Sequence, residues 1–266
     1  HAHARFRYRI RMRLLLLAAL TCAAAHAATQ VVILGTGTPL ADPDRSGPAV
    51  AVIYNGQGVS YPSTFGSHAR LAGSDLFTLG AGPQGTPRSV WPARNQAMVD
   101  HIEVRTNGLE HGNKTGYRVQ VHEIQAGVIF RDGELRVTAV PMLHGAWAHP
   151  FGYRIDTPDR SIVLSGDGTL SPALIEAAKG CDVLLHEVYS ERVLDHCRKD
   201  DATWAKYLRQ VHTSTAQLAE IANQTHPKLL VLYHQIYYGP TDAELLEEIR
   251  RAYHGPAASA HDLDIF

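Results

Sequence analysis

Four histidines and two acids stand out in this sequence because of where they fall. His144 follows the run LRVTAVPML, Asp167 follows IVLSG, His186 and Glu187 close DVLL, His234 closes LLVLY, and His212 directly precedes an amphipathic stretch. Neutral imidazole is the commonest metal-binding side chain, and a carboxylate behind a histidine sets its tautomer and orientation. A lone histidine is more often a surface or satisfied core residue, and Gly166-Asp167-Gly168 also reads as an ordinary turn. The repetition at four strand ends shifts that balance, because a strand end is where a rigid sheet presents a ligand from a loop.

The elements that must carry these residues follow from the pattern. Residues 30–34, QVVIL, are an apolar β-branched run that ends in the turn GTGTP, and residues 49–54, AVAVIY, are a second strand followed by Asn55-Gly56. Residues 117–124 alternate apolar and polar, as a half-buried strand does. GVIFRDGELRVTAVPM predicts two strands about Asp132-Gly133, and FGYRIDTPDRSIVLSGD two more about a Thr-Pro-Asp turn. Residues 171–179 open with Ser-Pro and stop at Gly180, which predicts a helix. DVLLHEVY is a buried strand, and residues 213–224 are an amphipathic helix with Leu218, Ile221 and Ala222 on one side. Residues 229–233 form a strand, 241–253 a final helix and 261–266 a short tail strand. Strands and helices alternate in the second half, which predicts a layered α/β domain over residues 28–266. Residues 58–95 do not fit this scheme. They are rich in glycine and proline, keep no sustained period, and make an unusually long irregular stretch for a compact domain.

Composition narrows the class. The 266 residues are 45% hydrophobic and 19% charged, so they are enough for a well-buried core, and disorder is not expected. A net charge of −1 gives no support to a nucleic-acid role. Residues 5–13, RFRYRIRMR, are basic; residues 14–25 are an apolar run too short to span a bilayer; Ala25-His26-Ala27 fits a small-x-small cleavage site. This layout predicts a secretory signal peptide over residues 1–27 and a periplasmic or secreted product. Met12 directly precedes Arg13 and the apolar run, which places residues 1–11 upstream of the expected start. Cleavage leaves Cys181 and Cys197, and export permits a disulfide without showing that they meet.

The ordered set of motifs resembles the metallo-β-lactamase superfamily in its ribonuclease Z-like branch, which also holds arylsulfatase-like and phosphodiesterase-like hydrolases. The resemblance rests on VVILGTGTP with DRSGPA after it, HGAWAHPFGYRI, VLSGD, LLHEVYS, HTSTAQLAEIA with LVLYH, and the tail HDLDIF. It implies a four-layer αββα sandwich with a two-metal site, usually zinc. It further implies that His144 binds the first metal, Asp167 bridges both and His234 binds the second. His212 would assist the leaving group, supported by His186 and Glu187. The implied activity is hydrolysis of a phosphodiester or related ester, with metal-activated water as the nucleophile. Ribonuclease Z proper grips transfer RNA with a basic, glycine-rich arm, and no such insertion is visible here. A small-molecule ester or phosphodiester is the expected substrate, a nucleic acid is not expected, and a homodimer is the assembly expected by default.

The sequence departs from the family at one place. The family's His-x-His-x-Asp-His motif is absent, and between Asn55 and Met98 the one histidine is His68. YPSTFGS at 61–67 resembles the stretch before the motif, with Thr64 where an acid is expected, and SDLFTLG at 74–80 resembles the stretch after it. Residues 91–95, WPARN, read one base later permit Gly-Pro-Pro-Gly-Thr, a family-like turn. The expectation is an incomplete N-terminal half with a deleted and out-of-frame segment within 58–95. Each metal then keeps two protein ligands, whereas a catalytic zinc usually has three. Sub-stoichiometric zinc is expected, and a degenerate, inactive member or binding protein is the alternative to a working hydrolase.

Overall fold

The computed structural model describes residues 29–38, 44–54, 57–62, 77–78, 124–192, 202–236 and 241–266. The expected signal peptide, His68, Cys197 and the expected strand at 117–124 lie outside these residues, apart from Ile124.

Two β-sheets form the centre. The first has the order β1 (Thr29–Gly35), β2 (Ala49–Tyr54), β3 (Gln57–Pro62) and β4 (Phe77–Thr78). β1 to β3 are antiparallel and β4 lies parallel to β3. Part of the irregular region 58–95 is thus strand. Val52 pairs with Val59 and Ala49 with Pro62, so the second strand continues through Asn55-Gly56 into a hairpin partner. The glycines at 58, 66, 73 and 80 hid it, because glycine weakens any strand pattern.

The second sheet has seven strands in the order β11-β10-β9-β8-β7-β6-β5. β5 (Gly127–Asp132), β6 (Leu135–Pro141), β7 (Phe151–Asp156) and β8 (Ser161–Leu164) form an antiparallel meander. β9 (Val183–Tyr189), β10 (Leu229–Ile236) and β11 (Ala257–Ser259) then add in parallel. Helices α1 (Pro172–Ala178), α2 (Ala202–Val211), α3 (Thr215–Thr225) and α4 (Asp242–Arg250) occupy the connections between these later strands, as parallel crossovers require. Ser171, Ser214 and Thr241 cap α1, α3 and α4, the last two with full capping boxes.

Alternation along the strands sorts the core into two layers. Val31, Ile33, Val50 and Val52 of the first sheet pack with Val137, Tyr153, Ile155, Ile162, Leu185 and Val231 of the second. The other face of the second sheet, through Val163, Leu184 and Leu232, packs with Leu174, Leu218, Ile221, Ala222 and Ile249 from α1, α3 and α4. The sheet–sheet–helix order gives an α/β sandwich with a mixed sheet, and three layers of the expected αββα arrangement lie among the described residues. The tail 261–266 does not form a strand of its own sheet. It lies against β1, exchanging backbone hydrogen bonds between Val31 and Phe266. β6 and β8 run the same way as β9 and β10, so the carboxyl ends of all four meet at one edge of the sandwich.

Candidate metal and acid–base centre

That shared edge gathers the chemistry-bearing residues. His144 follows β6, Asp167 follows β8, Glu187 lies in β9 and His234 in β10, while His212 sits between α2 and α3. The rings of His144 and His212 are 5.5 Å apart and those of His212 and His234 5.9 Å, so His212 occupies the middle.

Each of these three rings is tied down through Nδ1. His144 Nδ1 donates to the Val211 carbonyl at 2.7 Å, and His234 Nδ1 to the Gly37 carbonyl at 2.9 Å. His212 Nδ1 meets Glu187 Oε2 at 2.8 Å. A carbonyl oxygen can only accept, so Nδ1 of His144 and of His234 carries the hydrogen. In the neutral ring Nε2 is then a bare lone pair, which is the state a metal ligand needs.

His234 reaches this position through a break in the ladder. Between Leu232 and Gln235 the β10 register slips by one residue against β9, and His234 takes the left-handed backbone φ of +47°. A bulge of this kind re-aims a side chain, and a non-glycine residue held there costs about 1–3 kcal/mol. Gly37, which anchors the ring, belongs to GTGTP. A side chain at Gly35 would fall on the Gly47 carbonyl, and a Cβ at Gly37 would stand 2.8 Å from the Ser46 carbonyl. The two glycines let the turn pack against residues 45–47, and that contact fixes the Gly37 carbonyl.

Glu187 is fully buried and uses both carboxylate oxygens. Oε1 accepts the Gly168 N–H at 2.7 Å and Oε2 faces His212. Burial opposes its charge, but His212, by charge and hydrogen bond, and the Gly168 N–H hold its carboxyl below the usual range. For His212, burial favours the neutral ring, yet the Glu187 carboxylate, by charge and hydrogen bond, and Asp167 push its imidazole above the usual value. The two shifts point the same way and favour the charged form of each partner across the 2.8 Å contact.

Among the described residues, Glu187, His212 and His234 form a group whose potential ligand atoms all lie within 4.8 Å of one another. The hydrogen bonds argue that Glu187 serves His212 first, since a metal on Glu187 would have to displace the His212 or the Gly168 contact. Asp167 is the better donor. Its Oδ1 is buried without a hydrogen bond and stands 3.5 Å from His234 Nε2. An unpaired buried carboxylate oxygen is costly unless something positive meets it. Asp167 and His234 thus offer two ligand atoms side by side, the one three-residue group close enough to share an ion among the described residues is Glu187, His212 and His234, and a two-zinc site is not assembled among them.

His186 is not brought to this centre. Strand alternation turns it away from Glu187, to the same face as Leu184 and Val188, which pack under the helices. Its Nδ1 donates to the Glu187 carbonyl and its Nε2 is buried without a partner. Burial pushes its imidazole below the usual value, so it is neutral. It supports Glu187 through the backbone and makes no contact with His212. The residues that sequence reasoning passed over are Gly168, which holds Glu187, and the aromatic neighbours Trp147, Trp204 and Tyr207. Their signal was present in WAKYLRQVH, where two rings three residues apart precede His212 on a helical stripe.

A family model described as "Beta-lactamase superfamily domain" matches residues 74–235, and the chain belongs to the metallo-β-lactamase superfamily. Among its relatives is the ribonuclease Z of Mycobacterium tuberculosis (strain ATCC 25618 / H37Rv). That protein is 25% identical over 243 aligned positions, covering 78% of this chain and 85% of the relative. Because 78% of a 266-residue chain is fewer than 243 residues, that alignment opens gaps on this chain's side. In fold, the chain is similar to the metallo-β-lactamase fold protein YhfI from Bacillus subtilis, with a TM-score of 0.61 at 11% identity over 90% of this chain and 98% of that one. It is also similar to Zn(2+)-bound PqqB from Methylobacterium extorquens, with a TM-score of 0.54 at 14% identity over 89% and 99%.

Proposed function

We propose that this chain is an exported metal-dependent hydrolase of phosphodiester or related ester bonds. The observation that carries the reading is the buried His212–Glu187 pair set between His144 and His234. A histidine held above its usual value keeps a proton available for a departing oxygen, and Glu187 both orients the ring and stabilises its charge. His144, Asp167 and His234 would hold the metal, which we take to be zinc, and it would supply Lewis acidity to a phosphoryl or carbonyl oxygen and activate water. Relatives named ribonuclease Z support phosphodiester chemistry, while the net charge of −1 favours a small substrate over a nucleic acid. The basic and then apolar layout of residues 5–27 supports export. Among the described residues no helix is long and apolar enough to cross a membrane.

One observation favours a second reading. The His-x-His-x-Asp-His motif is missing from the sequence, which leaves fewer protein ligands than a catalytic zinc usually has. The same purification tests both. Zinc per chain is measured after dialysis, and hydrolysis of a chromogenic phosphodiester is followed with and without added zinc. The expected result is less than one zinc per chain, with turnover that rises on zinc addition. A folded protein that binds no zinc and shows no turnover at saturating zinc would establish the inactive reading.

A further inference from the structure

Apolar rings flank the histidine centre on its solvent side, and the proposed mechanism leaves them unused. Trp147 is 46% exposed and Tyr207 45% exposed. Trp147 lies 6.0 Å from the His144 ring, and Tyr207 lies edge-on to His212 at 6.2 Å. Trp204 stacks on Tyr207 at 5.2 Å, with only 18° between the planes. Ring contacts therefore run from Trp204 through Tyr207, His212 and His144 to Trp147.

The two flanks are held together by backbone. The Gly145 N–H donates to the Gln210 carbonyl, and His144 Nδ1 to the Val211 carbonyl, so the loop 144–147 docks on the last turn of α2. Gly145 takes φ of +57°, and a Cβ there would stand 2.8 Å from the Val211 side chain, so the close docking depends on glycine. Tyr207 lies one turn back from Val211, on the helix side that meets the loop. Large exposed rings cost solvation and are informative where they adjoin a buried polar site. Tyr207 borders His212, the residue placed to face a departing oxygen, and Trp147 borders His144 beside it.

We propose that Trp147 and Tyr207 form a subsite for a planar aromatic ring on the leaving-group side of the substrate. The inference rests on the hydrolase reading above and narrows it. Flat rings stack or meet edge-to-face with such side chains at a gain that an equally large saturated ring does not receive. An aryl ester and a nucleotide both offer a flat ring next to a phosphate, so the ligands tested must separate them.

Phenyl phosphate, cyclohexyl phosphate and adenosine 5′-monophosphate are titrated calorimetrically into the zinc-supplemented protein. The same titrations are run on Trp147→Ala, Tyr207→Ala and Tyr207→Phe, with folding checked by circular dichroism. Phenyl phosphate or the nucleotide is expected to bind about fivefold tighter than cyclohexyl phosphate. The tighter of the two identifies an aryl or a nucleobase ring. The preference should vanish in both alanine variants and persist in Tyr207→Phe. Equal affinities in the wild type, or a preference untouched by both alanine changes, would overturn the subsite. The two readings fail separately. Hydrolysis of the chromogenic phosphodiester without ring preference removes the subsite alone, whereas ring preference without hydrolysis removes the hydrolase reading alone.

Discussion

At the residue scale the question is what Glu187 does. Its proximity to His212 and His234 makes it a geometric candidate for a metal ligand, while its hydrogen bonds make it the partner of His212. Glu187→Gln separates the roles. The amide keeps the shape and the contact with His212 but loses the charge that raises the imidazole's hold on its proton. If Glu187 serves His212, zinc content should stay at the wild-type level while kcat falls by about a hundredfold, the ordinary share of a positioned acid. A variant that loses its zinc in step with its activity would make Glu187 a ligand. Asp167→Asn should give the opposite pattern, with zinc binding falling first, because an amide cannot supply the charge that the unpaired Oδ1 offers. These roles were partly legible in sequence. His144, Asp167, His212 and His234 each stand at a strand end or before a helix, and the structure brings all four to one edge. His186 was not separable from Glu187, because adjacency in a strand means opposite faces, and sequence alone does not say which face looks at the site.

At the element scale the site depends on a turn that the chain's last residues hold. Asp262 Oδ1 accepts from the Thr36 N–H and hydroxyl, each at 2.8 Å, and Oδ2 from the Ser46 N–H at 2.6 Å. The tail thus clamps GTGTP to residues 45–47, and Gly37 of that turn anchors His234. HDLDIF was read as a strand, but its main service is this carboxylate. Burial opposes the Asp262 charge, and the Ser46 and Thr36 hydrogen bonds outweigh it, so its carboxyl titrates below the usual value. A group depressed in the folded state stabilises at any pH above its unfolded value, about 3.9, and loses that contribution as pH falls through the folded value. Asp262→Asn should therefore melt lower than wild type at pH 7, by about 1 kcal/mol after allowing for partial exposure. The gap should narrow steadily as the pH is lowered below 4. Thermal melts across that range check it, and a gap that does not change with pH would show that the charge is not what holds the turn. The β10 bulge was not legible in LLVLYHQI, since its apolar run continues through it; only the register against β9 exposes the slipped residue.

At the scale of the whole molecule, the missing motif bears on metal binding more than on the fold. The first sheet ends with β3 beside a parallel β4, and a parallel pair needs a crossover of roughly a dozen residues or more. The connection here is residues 63–76, where the family places the helix and loop bearing His-x-His-x-Asp-His. The family match begins at residue 74, and the relative's alignment opens gaps on this chain's side. The fold tolerates the missing motif because the seven-stranded sheet, the core layer between that sheet and the helices, and the His212–Glu187 pair belong to the second half. Metal binding has no such reserve, since a two-metal site draws ligands from both halves. Replacing 63–76 with a family segment that carries the motif should therefore raise bound zinc from less than one toward two per chain. Turnover of the chromogenic phosphodiester should rise with it, and His144→Ala in the repaired chain should reduce both. A repaired chain that folds yet binds no more zinc than the original would mean that His144, Asp167 and His234 are not one half of a metal site, and the edge where the four strands end would need another explanation.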